Sequence, residues 1–372
     1  MNAAINLQGQ AKMKFAKVLV SAMLVSAGSL ASAQTALNAA ATAMQAGEWR
    51  VLNRGGDASG YNNDLLKSCK GTDCADNILN FADKGLWNPA TREIHFIGKG
   101  HEREAKHIVY SEAANRWSQE PLPAWAGGQY GIAHGYEHST IDPATGRIYA
   151  RPFNSTAFYR WDRSTKQWSS LPSGPNPAVA AALEWFPDMN AVLFVGGGEI
   201  HAYSESTGSW RSLATGLPMG GYHNVASYNP VHKVAIVGGG NGSRALFKVA
   251  ANGSVARIAD APAGVGILSS VLTTDPASGK VLLLSSGGGL FEYDVPTNRW
   301  STLSSSIPVW APDSNKIIYR IAIPISTYGV IAFLTHYWSD STSQVYLYKH
   351  SPGSGTPTDT TPPAPPTGIR LL

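Results

Sequence analysis

The sequence predicts an all-β protein in which six small antiparallel sheets close into a ring, and three observations predict it. A Tyr followed by six residues and then Trp recurs at Tyr110/Trp117, Tyr203/Trp210 and Tyr293/Trp300, with Trp161/Trp168 as a variant. Apolar runs that end in glycine come before it, as in AVLFVGGG (191–198) and VLLLSSGGG (281–289). The third observation concerns the two ends. GEWRVLN (47–53) reads as the tail of such a unit with no beginning, and YGVIAFLTHYWSDSTSQVYLYKH (328–350) as a beginning with no Trp tail.

Taken in order, residues 1–33 read as a secretory signal. Lys14 and Lys17 precede the apolar run Val18–Leu30, and Ala31-Ser32-Ala33 supplies small residues for cleavage before Gln34. The run is too short for a bilayer span, so the expected location is secreted or periplasmic, of a bacterial type, with no membrane span. Without Lys12, Lys14 and Lys17 the formal charge of +4 becomes +1, which gives no electrostatic reason to expect nucleic acid. Residues 34–46 read as an N-terminal lead. The two cysteines, Cys69 and Cys74, lie in SCKGTDC, and in an oxidising compartment that spacing suggests a local disulfide.

The units follow over residues 47–350. The first is NPATREIHFIGKGHEREAKHIVYSEAANRW (88–117) and the second IDPATGRIYARPFNSTAFYRWDRSTKQWSSL (141–171). The third carries Tyr203/Trp210, the fourth has Val255 in the Trp place, and the fifth (269–303) is the clearest copy. From Trp117 through Trp168, Trp210 and Val255 to Trp300 the intervals are 51, 42, 45 and 45, the period of stacked four-stranded units. A sixth unit starts at Tyr319 and needs GEWRVLN as its last strand. Drawing one sheet from both termini removes the open edge that a linear stack would leave. The outer-strand Trp residues are expected in the core between sheets. Residues 351–372 are rich in Pro, Ser, Thr and Gly and read as a linker.

The glycine-ended strand followed by Tyr-x6-Trp resembles the kelch motif, and PPAPPTGIRLL resembles the start of a fibronectin type III domain, truncated here. The resemblance implies a six-bladed kelch-like β-propeller whose last blade is closed by the N-terminal strand. It does not imply one function, since such propellers include copper radical oxidases, sialic acid epimerases and binding modules.

Ligands of propellers gather where the innermost strands begin. Aligned by turn signals, the innermost strands put Asp83, Glu137, Ala181, Asn224, Ser270 and Tyr319 in one row, and Lys84, His138, Ala182, Val225, Val271 and Arg320 in the next. Loops add His134, Tyr136, Tyr222 and His223, with His101, Arg151, Asn241 and Trp338 in reach. Aromatic faces, amides and a few charges suit a sugar, so the leading expectation is a carbohydrate-binding or attachment module. Its ligand-binding residues would be Asp83, Lys84, His134, Tyr136, Glu137, His223 and Asn224, its partner a polysaccharide or glycan, and its cofactor none. The competing structural reading is that these polar groups bond to one another across the channel.

Two alternatives remain. A polysaccharide lyase acting on uronic acid chains by β-elimination would use Arg320 or Lys84 to neutralise the carboxylate, and His138 and Tyr319 among its acid–base groups. An extracellular protein-interaction module would need none of this chemistry. His134 and His138 lack a third ligand, so no metal site is expected. A copper radical oxidase needs a cysteine beside a ligand tyrosine, and both cysteines here lie in one short loop.

Overall fold

The computed structural model describes residues 34–54, 61, 63–101, 103–127, 131–304, 307, 320–337 and 342–351. Six four-stranded antiparallel sheets form the blades of a β-propeller. Blade 1 comprises Leu86–Asn88, Glu93–Lys99, Ala105–Ser111 and Arg116–Glu120, and blade 2 comprises Ser139–Asp142, Arg147–Ala150, Phe158–Asp162 and Gln167–Leu171. Blade 3 runs from Ala182–Phe186 to Ser209–Ala214, blade 4 from Asn224–Asn229 to Val255–Arg257, and blade 5 from Ser270–Thr274 to Arg299–Ser304. Blade 6 takes Arg320–Ile325, Val330–Tyr337 and Thr342–Lys349 from the end of the chain and Glu48–Arg54 from its beginning.

The Tyr-x6-Trp spacing has a simple backbone meaning. A tight turn between the third and fourth strands makes residues seven apart direct cross-strand partners, so Tyr110 faces Trp117, Trp161 faces Trp168, Tyr203 faces Trp210 and Tyr293 faces Trp300. At the seam the same pair is assembled from opposite ends of the chain. Trp49 faces Tyr348, and their rings stack with centroids 4.4 Å apart. In blade 4, Val255 faces Val249.

The core is apolar packing between successive sheets, with Ile94, Phe194, Ile236, Leu283 and Phe333 fully or almost fully buried. The expectation that the outer-strand Trp residues are core holds for Trp117 alone, which is 0% exposed. Trp168, Trp210 and Trp300, on the outermost strands of blades 2, 3 and 5, are half-buried. The lead segment is a helix, Ala36–Ala43, capped by the Thr35 hydroxyl, which accepts from Asn38 N. Its Leu37 and Ala41 pack with Leu347, Ile323 and Ile325 beside the seam, and Thr35 and Tyr328 both donate to Glu112 of blade 1. Cys69 and Cys74 fall on the facing strands Lys67–Lys70 and Asp73–Asn77 of a hairpin. Among the described residues no helix is long and apolar enough to cross a membrane. The segments read as signal and linker lie outside the described residues, apart from Ser351.

Candidate functional site

The innermost strands run parallel around the channel and touch near their starts. The bridges are Ala82 with Tyr136, Glu137 with Ala182, and Lys84 with Ala322. Asp83 and Glu137 therefore share a row as expected, but blade 3 contributes Ala182 rather than Ala181, and Ile321 of blade 6 stands opposite Asp83. The turn signals missed this because the loops leading into blades 3 and 6 differ in length, and register is set instead by bonds such as Leu183 N to Glu137 O (2.8 Å) and Ala322 N to Asp83 O (2.8 Å). Tyr319 and Trp338 lie outside the described residues. Arg320 is buried at the start of blade 6's first strand, and Asn241 is exposed.

Two layers result. The lower one is ionic. An innermost strand has no neighbour on its channel side, so its outward N–H groups need other acceptors. Glu137 Oε2 accepts from Ala226 N (2.8 Å) and Glu184 Oε1 from Tyr228 N (2.7 Å), each carboxylate reaching across to blade 4. Lys84 Nζ lies 3.1 Å from Glu137 and 2.8 Å from Glu184. Burial alone would lower the Lys84 pKa, but the two carboxylates outweigh it and hold the pKa above the ordinary lysine value. Burial, then the adjacent Glu137 charge, push Asp83 well above the usual carboxylate range. Glu137 is itself raised by burial, against the pull of Lys84.

The upper layer is aromatic and sits at the mouth. It is built from segments entering blades 1, 2 and 4 (Phe81, His134–His138, Tyr222–His223) and from the loops after the second strands of blades 1 and 2 (His101, Phe153). Three of these residues adopt left-handed backbone: Phe81 (φ 51°), Tyr136 (φ 43°) and His223 (φ 63°). For residues with a Cβ that conformation costs about 1–2 kcal/mol each. It is held by inter-blade bonds, Tyr136 N to Phe81 O and His223 N to Ala180 O, both 2.8 Å. Around blade 4 the backbones press together, so that a Cβ on Gly220 would come within 2.0 Å of Gly240 O.

The consequence is convergence. Ring centroids stand 5.9 Å apart for Tyr136 and His223, 6.1 Å for Phe81 and His223, and 6.5 Å for Phe81 and Tyr136. Blades 2 and 4 meet across the point where blade 3 contributes the small, buried Ala180 and Ala181. His134 packs on Phe81 (4.5 Å) and His101 (5.0 Å), and its Nδ1 donates to Lys99 O. Tyr222 is 45% exposed and edge-on to His223 at 4.6 Å. Burial lowers His134 and His223 to about 4 and raises Tyr136 to about 12. Burial, reinforced by the Arg151 charge, lowers His138 well below the ordinary histidine value. At neutral pH His134, His138 and His223 are thus neutral imidazoles and Tyr136 a neutral phenol.

Of the expected ligand residues, the mouth brings together His134, Tyr136 and His223, with His101 and Tyr222, and with His138 beneath Tyr136 at 4.8 Å. Asp83, Lys84 and Glu137 belong to the ionic layer below. Asn224 is 0% exposed and donates to Gly220 O and Gly239 O, both 3.0 Å. Arg151 is buried between blades 2 and 3. Phe81, Phe153 and Glu184 escaped the sequence reading, although Glu184, a lone charge inside AALEWF, carried a signal. Among the described residues no three His, Cys, Asp or Glu side chains stand as a metal-binding group. A cavity of about 370 Å³ lies away from the mouth, beside the turns of blades 2 and 3, and the paired Arg147 and Glu205 (3.3 Å) help to line it.

No protein-family model matches the sequence, and no curated protein matches it. Among solved structures, the chain is similar to a fungal alcohol oxidase of the AA5 family in complex with copper, at 14% identity and a TM-score of 0.47. The match covers 71% of this chain and 61% of that one, so the chain spans about three-fifths of the oxidase's length. A likeness of that size says nothing about chemistry.

Proposed function

We propose that this propeller is a secreted or periplasmic glycan-binding module of kelch type whose ligand stacks on the aromatic mouth. The observation that supports this most is the meeting of Phe81, Tyr136 and His223 from three blades, each on left-handed backbone, with the exposed Tyr222 at the edge. Backbone strain at bulky residues persists only where the surroundings enforce it, and here it aims three rings at one place. Ring faces take up sugar C–H surfaces, while neutral imidazole nitrogens and phenol hydroxyls bond to sugar hydroxyls as donors and acceptors. In the oxidising compartment of this reading, Cys69 and Cys74 form a disulfide across their hairpin.

The lyase alternative loses one of its two cations, since Lys84 is held between Glu137 and Glu184. A glycan array followed by calorimetric titration of the hits tests the binding role. Tyr222→Ala removes an exposed ring that supports no core, so it should weaken binding about tenfold, the loss of one stacking contact, and leave the melting temperature unchanged. Absence of any glycan hit, or equal affinity in the variant, would reject the mouth as the site.

A further inference from the structure

Arg151 presents a different problem. It is 5% exposed, and its Nη2 donates to two carbonyls, Ser155 O (2.8 Å) and Ala178 O (2.9 Å). Its Nη1 is buried with no hydrogen-bond partner, and the guanidinium carbon sits 5.2 Å from the centre of the Phe194 ring. Three arginines more exposed than Arg151 do have carboxylates: Arg92 lies near Glu112, and both Arg147 and Arg160 near Glu205. Arg151 has no acidic partner among the described residues. Burial lowers its pKa only to about 10, so it remains a cation at neutral pH. Its neighbour His138 is neutral there and 6% exposed, with a buried Nε2 that also lacks a partner.

A buried cation is ordinarily matched by an anion or a set of strong acceptors, because removing it from water is costly. Carbonyl dipoles and a ring face reduce that cost without cancelling the charge. Arg151 also borders a small cavity between blades 2 and 3, with Ser155, Thr156, Gly174 and Asn176 in its wall. The cavity has about 10 Å³ of room for the centre of a water-sized body, which is space for one such body and for nothing as large as a carboxylic acid. Water there would satisfy hydrogen bonding but not charge. Thr156 Oγ1, which has no protein partner in the described residues, can turn its proton toward an anion.

We infer that this cavity is a site for a single small monovalent anion of the halide class, chloride in ordinary surroundings, held by Arg151 and closing the junction of blades 2 and 3 behind the mouth. The ion supplies the counter-charge that the fold omits. Because Arg151 N donates to His138 O (3.0 Å) and Ala178 and Ala180 share one loop, the ion also braces the segments that carry His138 and receive His223.

The test is thermal unfolding of the full chain at pH 7 and constant ionic strength, with sodium gluconate replaced stepwise by sodium chloride up to about 0.5 M. A ligand that binds only the folded state should raise the melting temperature by about 2–4 °C over that range. Bromide should do the same, and Arg151→Gln should abolish the response. Equal melting temperatures in chloride and gluconate would overturn the site, as would an undiminished response in the variant. Should Arg151→Gln not fold, bromide-soaked crystals of the unaltered protein decide the matter. An anomalous peak in contact with the Arg151 guanidinium supports the site, and a map with no peak there rejects it, leaving carbonyls and the Phe194 face as the whole compensation.

Discussion

Replacing Lys84 by Met tests the ionic layer beneath the mouth. The substitution keeps most of the aliphatic stem and removes the ammonium that lies 3.1 Å from Glu137 and 2.8 Å from Glu184. The Glu137 side chain is 1% exposed and cannot recover hydration, so it is left as an uncompensated buried charge or must take up a proton. Removing one partner of a buried pair costs about 3–5 kcal/mol. For a domain of this size that is a fall of about 6–10 °C in melting temperature. The defect has a pH signature. Glu137 is raised by burial even with Lys84 present, and without Lys84 it rises further. The folded variant then binds a proton that the unfolded chain releases above the ordinary carboxylate range, so its stability falls as pH rises and the gap from wild type widens from pH 5 to pH 8. Adding Glu137→Gln and Glu184→Gln to Lys84→Met removes the charge while keeping acceptors for Ala226 N and Tyr228 N, and should restore most of the loss. Calorimetry and urea unfolding at pH 5, 6.5 and 8 provide the readout. A loss under about 1 kcal/mol, or one that does not change with pH, would refute the reasoning.

At the seam, Trp49→Ala removes the ring stacked on Tyr348 and 5.3 Å from Phe333. Because Trp49 is half-buried, the loss should be about 2–3 kcal/mol, below the range for a buried Trp, and an unchanged urea midpoint would argue against closure. His134 and His223, held at about 4 by burial against about 6.5 for free histidine, should titrate near pH 4 by NMR, whereas midpoints near 6.5 would show an open, hydrated mouth. Their contribution to stability is complete above the unfolded value and is lost as pH falls through 6.5 toward 4. Asp83, raised, acts in the opposite sense, which is why the groups must be followed singly. If Cys69 and Cys74 form the proposed disulfide, closing so short a loop stabilises by about 2 kcal/mol. Reduction should then lower the melting temperature by a few degrees, and two free thiols in the mature secreted protein would reject the bond.

The architecture was legible because its signals are local. A residue and the one seven further on become cross-strand partners through the pitch of the backbone and the length of a turn, so Tyr-x6-Trp records a hairpin in any context. The unmatched Trp49 and the sixth unit lacking a Trp at its tail could be joined only by a ring, and the pairing of Trp49 with Tyr348 is that ring. Of the mouth, the residue types and their blades were legible: His134, Tyr136, Tyr222 and His223 lie in segments that enter innermost strands.

Which of them meet was decided in three dimensions. The register across the channel depends on bonds between different blades, so turn signals misplaced blades 3 and 6. Lys84 and Glu137 look like ligands on paper and become a clamp only because Glu184, one hundred residues after Lys84, arrives beside them. The left-handed backbone at Phe81, Tyr136 and His223 leaves no mark in composition, since it is imposed by the neighbouring blades and opposed by the residues' own preferences. Residue types and repeat spacing thus determined the ring, because strand pairing within a blade is short-range. Contacts between blades determined the site, because charge pairing and ring packing depend on distances that the order of residues does not contain.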